Sequence, residues 1–141
     1  MEARTHLRLS TVGLALFLGS GLLIEGALGN RIEFYVNDSI RREFVRLGHA
    51  HGGLLCLVNL GLAFVLRELQ TPESWARPAR WAALLGAFAV GVGFASAGIW
   101  HGPTDPGPTV LLVPAGAFAL LGALVVAALV RPGDESPPGE G

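Results

Sequence analysis

Residues 109–130 read TVLLVPAGAFALLGALVVAALV, and no charged side chain interrupts them. A helix that is apolar all round has no face for water, so it is stable only inside a large core or in lipid. About 20 predominantly apolar residues carry a helix across the roughly 30 Å hydrocarbon layer of a bilayer, with its backbone polar groups paired internally. Three further stretches, residues 7–28, 47–66 and 81–100, have the same character. The expected fold is therefore all-α: an integral membrane four-helix bundle, antiparallel and up-down-up-down. It forms one domain over residues 1–131, and residues 132–141, polar and rich in Pro and Gly, read as a disordered tail.

Composition agrees with that solvent. The 141-residue chain is 51% hydrophobic and only 15% charged, against about 25% charged in ordinary soluble proteins. A net charge of −1 argues against an electrostatic nucleic-acid binder. The single cysteine, Cys56, excludes an intrachain disulfide, a CxxC redox pair and a thiolate zinc cage. No lysine is present, which removes Schiff-base chemistry and the phosphate-loop lysine. Arg4 and Arg8 before an apolar run look like the start of a secretory signal. The run is longer than a usual signal core and contains Glu25, so it is read as an uncleaved first span.

With four spans both termini share one side, together with Arg4, Arg8, Arg67, Arg77, Arg80 and Arg131. The other side carries Arg31, Arg41, Arg42 and Arg46. This excess places both termini in the cytoplasm of a bacterial-type inner membrane. Trp75 and Trp81 then anchor one interface, and Trp100 and Tyr35 the other. Asn37-Asp38-Ser39 offers a helix N-cap, so Ile40 to Arg46 reads as an interfacial helical turn or two leading into the second span.

Ionisable residues inside a span cost about 2.5–3.5 kcal/mol at the helix centre, so each one asks for a reason. Antiparallel threading brings Glu25, His49, His51, His101 and Asp105 to one face of the membrane, while His6 is read as a solvated residue at the other. At about 100° per residue His49 and His51 point apart. His49 shares a small, polar stripe with Gly52, Cys56 and Asn59, which places it inside the bundle and leaves His51 the weaker candidate. Gly48 and Gly52, four apart, allow close helix approach there. The site expected is His49 and His101 with Glu25 assisting, and with His51, Asp105 and Asn59 as secondary candidates. Carboxylate with imidazole suits a transition metal, and two facing imidazoles suit haem iron. The same groups suit proton relay or a small ligand's oxygen. In a purely structural reading, Glu25 pairs with Arg31 or Arg46 and Asn59 is an interhelical hydrogen-bond donor. There is no HExxH, no repeated Glu-x-x-His and no methionine beyond Met1, which removes zinc-protease, di-iron and thioether copper chemistry. Pro114 is expected to kink the fourth span.

Gly48-His49-Ala50-His51-Gly52, opening a membrane helix, resembles the histidine-bearing helices of the haem-copper oxidase superfamily over one helix of four. That resemblance implies haem or metal ligation; the further histidines such enzymes use have no counterpart. A four-span chain with a carboxylate in its first helix is similar to the small multidrug resistance transporters, which implies proton-coupled transport by an oligomer. Their carboxylate lies near mid-membrane, whereas Glu25 lies near the end of its span. The overall pattern is similar to that of uncharacterised small four-helix bacterial membrane families. The preferred reading is a non-catalytic membrane subunit or binding protein, embedded in lipid as a homo-oligomer or part of a larger complex, that holds haem, a transition metal or a small ligand. The alternatives are a proton-coupled transporter using Glu25 and a purely structural accessory subunit.

Overall fold

The computed structural model describes residues 1–131, so the expected tail, 132–141, lies outside the described residues. The described residues form helices and connecting turns without strands. The helices are α1 (Ala3–Gly29), α2 (Glu33–Val36), α3 (Ser39–Glu68), α4 (Glu73–Ile99) and α5 (Leu112–Leu129), and a 3-10 turn at Pro108–Leu111 leads into α5. Four of these, with that turn counted into the last, are long and apolar enough to cross a membrane.

The helices run beyond the spans, and the local chemistry explains where they stop. Asp38 caps α3: its Oδ1 accepts the Arg41 N–H at 2.9 Å, so helix starts at once and α3 continues unbroken through the interfacial turn. At the end of α1, Arg31 takes φ 51°. The Ile32 N–H then reaches the Ala27 carbonyl, and the Arg31 N–H that of Leu28. The end of α3 repeats the device, with Gln70 at φ 50° and the Thr71 and Gln70 N–H groups on the Leu66 and Arg67 carbonyls. Both are the left-handed cap that glycine usually fills, here built on side-chain-bearing residues. The stretch from Arg67 to Arg80, expected as a loop, contracts to a four-residue turn, residues 69–72. Pro78 sits inside α4 close to its start, and Pro114 falls in the first turn of α5, where no α-type N–H bond is lost. A 3-10 turn, Pro108–Leu111, precedes the helix that holds Pro114.

Helix α4 is the hub. More than half of its apolar window is buried (56%), against 22% for α1 and for the last span. Its small residues set the packing. A Cβ on Gly86 would lie 2.5 Å from the Gly116 carbonyl oxygen, and one on Gly116 would lie 2.6 Å from that of Gly86, so α4 and α5 touch backbone to backbone. Leu62 and Leu66 of α3, Ala79 and Ala83 of α4, and Leu120 and Ala123 of α5 close a dry core beside that contact. Against α3, Gly48 rests on the Gly91 carbonyl and on Ala95, and Gly98 rests on Phe44. Helix α1 lies at the edge, packed on α3, with Leu16, Leu22 and Leu23 exposed.

Candidate functional site

The polar side chains of the long helices collect along the seam between α1 and α3. Steps of three or four residues on α1 put His6, Ser10, Gly13, Phe17 and Ser20 on one stripe, opposite Asn59, Cys56, Gly52 and His49 of α3. At the terminal end of the seam His6 is fully buried, its Nε2 2.8 Å from Asn59 Oδ1. Asn59 in turn donates both amide hydrogens, to the Leu55 carbonyl at 2.9 Å and to the Ala83 carbonyl of α4 at 3.1 Å. Its oxygen is therefore the acceptor, and the His6 proton sits on Nε2. His6 Nδ1 and Ser10 Oγ are buried without a hydrogen-bond partner. Nearby, Arg80 donates to Glu73 at 2.6 Å and to the Met1 carbonyl at 3.2 Å, tying the start of α4 to the start of the chain. The expectation that His6 is a solvated residue is thus overturned. The signal was its register, four residues before Ser10 on the stripe that meets α3.

At the other end of the seam His49 leans over Gly21, where a Cβ would come within 2.5 Å of the ring. His49 Nδ1 lies 2.6 Å from the Phe17 carbonyl oxygen, which also accepts from Ser20 Oγ at 2.6 Å. A carbonyl can only accept, so Nδ1 carries the hydrogen and the lone pair of the neutral ring is on Nε2. Nε2 has no hydrogen-bond partner among the described residues. The His49 ring borders a cleft of about 860 Å³ lined also by Gly21, Glu25, Ser39, Arg42 and Arg46. On its other side the His49 ring also borders an apolar crevice of about 390 Å³ among Phe17, Val45, Phe88, Val92, Ile99 and Trp100. Glu25 is exposed at the cleft's edge, and the structural pairing expected with Arg31 or Arg46 is not formed within 4.0 Å. Sequence reasoning placed Arg42 and Arg46 on an interfacial helical turn and missed that this turn of α3 carries them to the cleft.

His101 does not join this group. Its Nε2 donates to Asp38 Oδ2 at 2.6 Å and its Nδ1 to the Gly102 carbonyl at 2.5 Å, an arrangement in which both ring nitrogens carry hydrogen. The Gly102 carbonyl and then the Asp38 carboxylate hold its pKa above the ordinary histidine value. The Arg41 backbone N–H, with help from His101, holds the Asp38 carboxyl below the ordinary carboxylate value. Arg41 completes the clasp, pairing with Asp38 at 3.2 Å, donating to the Phe34 carbonyl at 2.6 Å and stacking on the Phe34 ring. Asp38 precedes His49 by eleven positions on the α3 axis, about 16 Å at 1.5 Å per residue. The expected shared site of His49 and His101 is corrected on that distance. The secondary candidates separate as well. His51 turns to α4, its ring centroid 5.1 Å from that of Phe94, and Asp105 is exposed, accepting from the Thr104 hydroxyl.

Among the described residues no three His, Cys, Asp or Glu side chains lie close enough together to hold a metal ion. What the arrangement offers is one oriented imidazole lone pair, a nearby carboxylate and two guanidinium groups around an open cleft. Comparison of the chain with protein-family models, with curated proteins and with solved structures finds no match.

Proposed function

We propose that the chain is a multi-pass membrane protein of four antiparallel spans. In this reading it is not an enzyme, and it binds a small organic molecule in the cleft between α1 and α3. The observation that carries the reading is the His49 ring, fixed by the Phe17 carbonyl so that Nε2 presents a lone pair beside Gly21. A hydroxyl or N–H on the ligand donates to Nε2, Arg42 and Arg46 receive its acidic or carbonyl oxygens, and Glu25 accepts at the edge. The cleft volume falls in the 300–1,000 Å³ range of small-molecule sites. A resident metal needs three or four protein ligands, which His49 and Glu25 do not supply. The arginine excess beside the termini supports a cytoplasmic position for both ends.

Native mass spectrometry of the chain released from its own membranes into mild detergent tests this. The expected result is a stoichiometric small-molecule adduct that disappears in His49→Leu and weakens in Glu25→Gln. Wild-type protein that carries no adduct, before and after incubation with extracted membrane lipids and small molecules, would refute the reading.

A further inference from the structure

Two imidazoles stand at opposite ends of one seam, and each has one nitrogen tied and the other bare. His6 gives its Nε2 hydrogen to Asn59 and leaves Nδ1 buried without a partner; His49, which borders the cleft, gives its Nδ1 hydrogen to Phe17 and leaves Nε2 without a hydrogen-bond partner among the described residues. Groups that can take and release a proton lie between and beyond them: the buried Ser10 hydroxyl, the buried Cys56 thiol beside Gly13, the Ser20 hydroxyl, and Glu25 at the edge. From His6 to Glu25 the seam runs nineteen residues of α1, about 28 Å, close to the thickness of a bilayer's hydrocarbon layer. The opposite half of the bundle has nothing comparable. From Trp81 to Ile99 and from Thr109 to Leu129 no side chain titrates near neutrality. A buried polar atom left bare costs about 1–3 kcal/mol; α1 keeps two, His6 Nδ1 and Ser10 Oγ, where the turn into α5 keeps one, Thr109 Oγ1.

The row is not a continuous hydrogen-bonded chain, since His6 Nδ1 and Ser10 Oγ are each without a partner, and its bulkiest interruption is Phe17. The Phe17 ring lies on Gly52 and Gly91, with 2.5 Å between its Cζ and a Cβ built on Gly91, and it tilts against Phe88 at 5.8 Å. The residues beneath the ring are glycines, so only bare backbone lies under it between Ser10 and Ser20.

We propose that the α1–α3 seam is a proton path between the two faces of the bundle, with the Phe17 ring as its barrier. One proton moves and no electrons do. It binds Nε2 of His49, and the proton on Nδ1 leaves into water admitted past Phe17. His6 takes it on Nδ1 and releases its Nε2 proton to water at the terminal face, and a half-turn of each imidazole about its Cβ–Cγ bond restores the starting tautomers. The path does not rest on the ligand-binding reading: both use His49, but His6 and Phe17 belong to the path alone and Glu25→Gln weakens the adduct alone, so the two readings fail separately.

The test is proton uptake by liposomes of phosphatidylcholine and phosphatidylglycerol that contain the full chain and an internal pH dye. A potassium gradient with valinomycin drives the uptake. Phe17→Ala is expected to raise uptake at least tenfold over wild type. His6→Leu or His49→Leu in that background should return it to the wild-type level, with sodium flux unchanged throughout. Where Phe17→Ala does not purify as wild type does, Phe17→Leu replaces it, with an expected rise of about threefold and the same histidine dependence. Uptake by the Phe17 variant no faster than in protein-free liposomes overturns the proposal. So does a rise that survives both histidine substitutions, since that is a leak and not a relay.

Discussion

The α4–α5 contact and the α1–α3 seam solve the same packing problem with different chemistry. Where α4 meets α5, Gly86 and Gly116 bring the backbones together and alanines and leucines fill the rest, so dispersion alone suffices. Where α1 meets α3, the same bundle inserts two histidines, two serines, an asparagine and a cysteine, and leaves some of their polar atoms bare. The first contact shows that this fold does not need polar groups to pair its helices. Those in the second are therefore best explained by what they do.

Substitutions can break that contrast, and the largest effect belongs to the apolar side. Gly86→Val puts a side chain into the Gly116 carbonyl, which is backbone and cannot move aside. A loss of about 3 kcal/mol is expected, at the upper end of ordinary overpacking, measured as unfolding in a denaturing detergent. On the polar side Asn59→Ala strips His6 of its partner and frees the Ala83 carbonyl. The expected loss is smaller, about 1–2 kcal/mol, because hydrogen bonds between membrane helices contribute little net stability. If Asn59→Ala destabilises more than Gly86→Val, the polar seam is the structural support of the bundle and the contrast fails. Gly21→Ala pushes the His49 ring off its seat and is expected to remove the cleft adduct while leaving thermal unfolding nearly unchanged.

The His101–Asp38 clasp belongs to neither seam, and pH separates it from both. His101 is held above its ordinary pKa, so its contribution is complete below about pH 6.5 and is lost as pH rises through the raised value. Asp38 is held below its own, so its contribution is present above about pH 4 and is lost as pH falls through the lowered value. Thermal unfolding of wild type minus His101→Asn is therefore expected to be largest between about pH 4 and 6.5 and to shrink on either side. A difference that grows toward pH 9 would contradict the assigned charges. The smallest effect expected is at Gln70, where glycine relieves the left-handed backbone. Gln70→Gly should gain up to about 1 kcal/mol.

The four long apolar helices were legible because a long uncharged apolar run is itself a helix signal, and Asp38 was legible as a cap because Asp before a helical run is a local signal. The early start of α4 was hidden by Arg77, Pro78 and Arg80, polar or helix-breaking residues that read as loop until Arg80 finds Glu73 and the Met1 carbonyl. Threading correctly put His49 and His101 toward the same end of the molecule. It read the helical turn before His49 but not that His101 would pair with the cap residue Asp38, eleven positions before His49, which leaves His101 at the cap and not at the seam. His6 was the largest omission: proximity to a terminus suggested water, while its spacing from Ser10, Gly13 and Phe17 already assigned it to the α1 face that meets α3.

The central claim is that the seam holds His49 with hydrogen on Nδ1 and a lone pair on Nε2. Solid-state 15N NMR of histidine-labelled protein in lipid at pH 8 reads this directly. The predicted spectrum shows His49 Nδ1 as a protonated, pyrrole-type nitrogen close in space to the Phe17 carbonyl carbon, and Nε2 as an unprotonated, pyridine-type nitrogen. Hydrogen on Nε2 with Nδ1 bare would contradict the account.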